Sequence, residues 1–372
     1  MLKFKNKEFH LVEKFKIFIC IALAVVLFGG VFMVINAAGG RNLMNFGIDF
    51  TGGAIVDIDL GAYARDKDNR ETIRKAVEEV ITGDKNGCRI EGAMTSSDSS
   101  DGGATYEFRL SYYQHGKTLT TKEEGEEFVK FVKGDLSDEI TETLRSLFEN
   151  DAKLKASGAV LSDDDPDDGK SAVTAYSVSA SAAGSLVTKA IIALLVAIVL
   201  MLVYIVIRFT ASSALAAVCA LVHDVLIMVA LTTVFNIPVN STFIAAVITI
   251  VGYSINATII IFDRIREELK TSGAKDKSDV EIANLSIKDT LNRTILTTIT
   301  TLVMVAVLAF MSVSTIREFI IPIIFGLFAG AFSSVLLAPS IWVAFRKVAK
   351  KIKANREAKK GYQGGTANET NK

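Results

Sequence analysis

Cysteine and histidine are scarce, three of each in 372 residues. Cys20 and Cys219 fall in long apolar runs and Cys88 in a polar segment, so no disulfide framework is indicated. His223 beside Asp224 supplies two potential ligands where a zinc site takes three or four, so no metal ligand is assigned. The glycine-rich "GIDFTGG" (Gly47 to Gly53) lacks the Gly-Lys-Ser/Thr of a phosphate-binding loop. No nucleophile-and-base arrangement stands out either. Neither a catalytic nor a cofactor-binding residue is assigned, and an enzyme is not expected. Net charge is absent as well, with 41 Lys and Arg against 41 Asp and Glu. That zero hides an asymmetry: residues 39–188 hold 17 basic against 28 acidic groups, a net of −11, and the remainder is basic. An acidic segment repels phosphate, which argues against nucleic acid as a partner there.

Apolar length is what the chain has. Half its residues are hydrophobic, and they are gathered into blocks. About 20 helical residues cross ~30 Å of hydrocarbon. Windows at Lys16 to Ala38, Ala190 to Ile207, Ser212 to Phe235, Thr242 to Phe262, Thr294 to Met311 and Phe319 to Phe345 therefore predict six transmembrane helices. The first is longer than the roughly 7 to 15 apolar residues of a signal peptide, so it reads as an uncleaved anchor (16–38). Lys and Arg gather in residues 1–15, in the loop 263–293 and in the tail 346–372, which places both termini in the cytoplasm. Residues 39–188 are then an extracytoplasmic domain, and 189–345 carry helices two to six.

Within that domain "GAIVDIDL" (Gly53 to Leu60) alternates like a strand, and Asn69 to Ile81 has helical spacing. "CRIEGAMT" and "TYEFRLSYY" predict two more strands, Glu123 to Asn150 a helix interrupted near Gly134, and Ala172 to Ala180 a last strand. The order β-α-β-β-α-β predicts a ferredoxin-like α+β sandwich. Five aspartates in Ser162 to Gly169 form an acidic linker; a calcium loop of the EF-hand type wants Glu six residues after its Gly, where Ala175 stands. Gly102 to Ala104 and the last twelve residues are expected to be flexible.

Polar groups inside the spans are the candidates for function. Thr242, Thr249, Asn256 and Asp263 recur every seven residues along one stripe. A lipid-facing Asn leaves its amide unpaired, at several kcal/mol. The stripe must therefore meet protein or water, as interhelical hydrogen bonds or as an ion path. Asp224, near mid-span, shares a face with Ser213, Ala217 and Ala220, small residues that let another helix cover the carboxylate. Arg293 opens the fifth span beside a hydroxyl face of Thr290, Thr294, Thr297 and Thr301, where it either snorkels to headgroups or pairs with a carboxylate. Gly326, Gly330, Ser334 and Ala338 form a small-residue groove.

"FGIDFTGG", "LVHDV", "GYSINATIIIFDRIRE", "TLNRTILTTITTL" and "GLFAGAFSSVLLAPSIW" stand in this order along nearly the whole chain. Together they resemble the SecF family of bacterial protein-export subunits. The resemblance implies a six-helix half of an RND-type transporter in the bacterial plasma membrane, with membrane lipid around it. It implies pairing with SecD beside the SecY/SecE/SecG channel and action on preproteins. The energy would come from transported protons, with sodium as the alternative. Asp224, Asn256 and Arg293 become ion-coupling candidates, supported by Thr242, Thr249, Asp263 and Thr297. Gly47, Asp49, Gly52 and Gly53 belong to the family motif near the membrane exit. Ala257 is a departure, since the family commonly carries an acidic residue there; a SecD aspartate aligned beside Asn256 would supply the titrating group. The rival readings are a small-molecule or lipid exporter of the RND class and a structural membrane assembly factor.

Overall fold

The structure, a computed structural model, describes residues 10–39, 43–59, 67–97, 104–115, 117–119, 122–150, 173–178, 180–273, 276–311 and 314–369. The acidic run at 162–169 lies outside the described residues. Among the described residues six helices are long and apolar enough to cross a membrane, and a small sheet domain stands between the first two.

The domain begins with the short helix α2 (Ile48–Thr51), which follows the first span α1 (Phe15–Ala38). It continues through β1 (Gly53–Asp59), α3 (Lys67–Thr82), β2 (Cys88–Ser97), β3 (Ala104–Gln114) and the two-residue β4 (Lys117–Thr118). Helices α4 (Lys122–Phe131) and α5 (Ser137–Asn150) then lead to β5 (Val173–Val178). The strands pair antiparallel in the order β2-β3-β1-β5, the ferredoxin-like arrangement expected from the sequence, with β4 on β3 as an addition. One sheet face carries Val56, Ile58, Phe108 and Leu110, fully buried against Ile73 and Val77 of α3, Phe128 of α4 and Ile140 of α5. Each such side chain contributes roughly 1.5 to 3 kcal/mol by leaving water. The interruption expected near Gly134 is a widened turn, Val132–Leu136, across which the Ser137 hydroxyl donates to the Val132 carbonyl at 2.6 Å. Helical pairing thus continues through it.

The remaining spans are α6 (Ala180–Arg208), α7 (Ala211–Val234), α8 (Ser241–Glu268), α9 (Asp279–Met311) and α10 (Ser314–Phe332), the last continuing through a π turn (Ser333–Leu337) into α11 (Ala338–Glu369). Helix α11 runs into the tail expected to be flexible, as far as Glu369. Spans α7, α8 and α10–α11 are about half buried and form the centre, while α1, α6 and α9 are mostly exposed on its flanks. Small residues set the spacing. A Cβ added to Gly326 would stand 2.5 Å from Ile250 Cγ1, so α10 lies directly on α8. Gly29 of α1 likewise touches Ala230 of α7 with no room for a side chain. At the end of the bundle away from the domain, Ser278 and Glu281 cap α9 reciprocally at 2.7 and 3.2 Å. There the Asn284 side-chain Oδ1 accepts the Leu11 and Val12 amides at 3.2 and 3.1 Å, tying the N-terminal segment down.

Candidate functional site

Asp224 is wholly buried at the centre of the bundle. Ser213, Ala217 and Ala220 on the same face of α7 are buried too, so neighbouring helices close over the carboxylate. Its Oδ2 accepts from Ser333 Oγ at 2.8 Å and from Ser254 Oγ, while Oδ1 lies 2.8 Å from His223 Nδ1. Three donors from three places in the chain thus meet one carboxylate. Ser254 reaches it because α8 presses on Gly330, and Ser333 because it opens the π turn. Such turns interrupt helices most often where a side chain has a task. The His223 ring stacks on Phe332 with centroids 5.9 Å apart, and its Nε2 is buried with no partner among the described residues. An Nδ1–H donating to Asp224 leaves Nε2 as a free acceptor.

A second polar group faces outward. Thr249 and Asn256 on α8, and Arg293, Thr297 and Thr300 on α9, are exposed in the single chain, with Thr301 half-buried. Thr249, Thr297 and Thr301 donate to carbonyls four residues back at 2.8 to 2.9 Å, so their hydroxyls hold no other helix. The seven-residue stripe also divides: Thr242 bonds the Asn240 side chain, and Asp263 pairs with Arg208 at 3.6 Å at the end away from the domain. Along the hydroxyl face expected on α9, Thr290 and Thr294 are buried, Thr297 is exposed and Thr301 half-buried, so the bundle covers one end of this face and leaves the other at its surface. Arg293 has no ion-pair partner among the described residues. Ala257 is buried behind exposed Asn256, within this chain's own packing.

Residues 160–348 match the family described as "Protein export membrane protein SecD/SecF, C-terminal". The chain belongs to this SecD/SecF family. It is 40% identical over 190 residues to the protein translocase subunit SecF of Alicyclobacillus acidocaldarius, covering 51% of this chain and 61% of the relative. The protein translocase subunit SecDF of Bacillus subtilis is 37% identical over 170 residues, 45% of this chain and 23% of that protein. The chain spans about three fifths of the length of the SecF relatives it matches. Among solved structures, SecDF of Thermus thermophilus, a translocon-associated membrane protein, superposes with a TM-score of 0.58 at 25% identity. That match covers 93% of this chain and 40% of the other.

The glycine-rich segment Gly47 to Gly53 has a structural role in this chain. Gly52 turns with φ +76°, and Gly53 has no room for a Cβ against the Leu110 carbonyl. The Gly47 amide donates to Val239 O at 2.8 Å, and Asp49 Oδ2 accepts the Ser241 amide and hydroxyl at 2.9 and 2.6 Å. The motif thus fastens the domain to the N-terminus of α8. Ser254 and Ser333 escaped the sequence reading as ligands of Asp224, although Ser254 falls on the same helical arc as buried Ile250 and Ala257.

Proposed function

We propose that the chain is the SecF-type subunit of a protein-export complex, pairing with a SecD-type subunit to couple an ion gradient to preprotein movement. The observation that carries this is the exposed polar face of Thr249, Asn256, Arg293 and Thr297 at membrane depth. Facing lipid, an unpaired amide costs several kcal/mol and a guanidinium at least ~2.5 kcal/mol. Another protein must cover it, and a partner helix bearing a carboxylate opposite Asn256 and Arg293 satisfies both. The relative named SecDF, and the two fifths of a SecDF chain that this one covers, support a second half of similar size.

The bias of Lys and Arg orients both termini toward the cytoplasm and the α+β domain outward in a bacterial plasma membrane. There the domain meets emerging preprotein beside the SecY/SecE/SecG channel. Protons are the preferred ion, with sodium as the alternative. Asp224 with His223 is one carrying site; the covered face with Asn256 and Arg293 is the other. The test is purification of the tagged chain in mild detergent. A SecD-type subunit and channel subunits should copurify, and Asn256→Leu together with Arg293→Leu should reduce recovery of the SecD-type subunit at least fivefold. Undiminished recovery would remove this face from the interface.

A further inference from the structure

The end of the bundle nearest the domain holds a charged cluster that the Asp224 site does not use. Arg109 of β3 donates through Nε to Glu107 at 2.7 Å, and its Nη1 lies 3.9 Å from Glu318 Oε2 at the start of α10. The same Glu318 oxygen accepts from Asn240 Nδ2 at 2.6 Å. Asn240 is buried and caps α8, its Oδ1 accepting the Phe243 amide at 3.2 Å. Asp49 holds the next residue, Ser241. Arg109 of β3 thus reaches α10 directly and α8 through the Glu318–Asn240 bond, while Asp49 of α2 holds the start of α8.

Those two helices lead to Asp224. At 1.5 Å per residue, Ser254 lies about 21 Å down α8 from Asn240, and Ser333 about 22 Å down α10 from Glu318. Two rods of nearly equal length run from one joint to one buried acid. They touch along the way at Gly326 on Ile250 and Gly330 on Ser254, contacts too close to part without sliding. A change in how Ser254 and Ser333 share Asp224 shifts one rod against the other, and that shear emerges at Asn240 and Glu318. We propose that Arg109 is a positioning residue of this joint, converting relative movement of α8 and α10 into movement of the α+β domain. Its two contacts differ in kind. Glu107 on the same strand anchors the guanidinium, and the longer reach to Glu318 is the link that tightens or releases. The charged groups facing it are Glu107 and Asp57 from the sheet, Asp49 from α2 and Glu318 from α10. With carboxylates on several sides of it, the Arg109 guanidinium makes the link sensitive to small displacements.

The inference rests on the gradient-coupled reading above. It is tested in membrane vesicles holding the full complex, with preprotein export measured with and without an uncoupler. Arg109→Gln and Glu318→Gln should each cut the gradient-stimulated part at least threefold and leave uncoupled export unchanged, and the double variant should be no worse than the worse single one. Glu318→Asp, which keeps the charge and an acceptor for Asn240 but shortens the reach to Arg109, should also lower stimulation. Losses that multiply in the double variant, equal losses with uncoupler present, or full stimulation in Glu318→Asp would overturn the joint. A parent complex indifferent to uncoupler would remove the coupling reading and the joint with it; stimulated variants beside a stimulated parent would remove the joint alone.

Discussion

Gly330 lies so close to Ser254 that a Cβ on the glycine would stand 3.2 Å from the serine's own. That contact brings α8 near enough for Ser254 to reach Asp224. Gly330→Val is expected to destabilise the purified chain by about 1 to 3 kcal/mol through overpacking, read as a lower melting temperature, and to abolish gradient-stimulated export. A Val variant with unchanged melting and export would show that the helices separate freely.

Asp224→Asn keeps the size of the carboxyl group and an oxygen for Ser254 and Ser333, but it cannot titrate. Assembly should survive while stimulation by the gradient falls at least tenfold. Asp224→Leu instead leaves both serine hydroxyls without their acceptor, at about 1 to 3 kcal/mol for a buried polar group. It should also lower the melting temperature. Gradient-stimulated export intact in the Asn variant would shift the ion path to the partner-facing surface.

Cys88 is buried, and burial pushes its thiol up to about 11. The thiolate is the reactive form, so Cys88 should resist an impermeant thiol reagent in the folded protein and react after denaturation. This leaves the topology open to direct test. A cysteine in place of exposed Glu149 should label on intact cells stripped of wall, and one in place of exposed Ser272 should not. Labelling at position 272 from outside would reverse the proposed orientation.

In the sheet, Asp57 faces Glu107 across strands β1 and β3. Burial, then the Glu107 charge, raises its carboxyl above the ordinary value of 3.8. The folded state therefore holds this proton more tightly than the unfolded one. The group's contribution to stability is full below that ordinary value and lost as pH rises through the raised one. Asp57→Asn, still able to accept from Tyr176, should raise the melting temperature at neutral pH. The gain should shrink toward pH 4, and a gain that is constant or larger in acid would contradict the assignment.

Arg293→Lys keeps a charge and loses the planar fork. If the residue pairs with a partner carboxylate, gradient-stimulated export should drop several-fold. A side chain that merely reaches the headgroups would tolerate the exchange, so an unchanged rate excludes Arg293 from the mechanism.

How much of this was legible in sequence depends on whether a residue's meaning is local. Strand alternation in β1, helical spacing in α3 and apolar length in the spans are local patterns, and the βαββαβ order follows from them. Asp224 stood out because a charge in an apolar run needs a reason. Ser254 and Ser333 did not, because serine is ordinary in membrane helices and only tertiary packing brings both onto one oxygen. Asn256 was recognisable as polar at membrane depth, but periodicity reveals a stripe without saying which neighbour it meets. Arg109 and Glu318 look like surface charges in isolation, and their pairing belongs to the fold.

The Leu11 and Val12 amides end on Asn284, which belongs to the fifth span. During synthesis the first helix enters the membrane long before that acceptor exists, so its anchoring segment waits for α9 to emerge from the ribosome. Formation of the finished bundle is accordingly a closing of early on late sequence, and a chain stalled before α9 would hold its first helix through its packing on α7, where Gly29 meets Ala230.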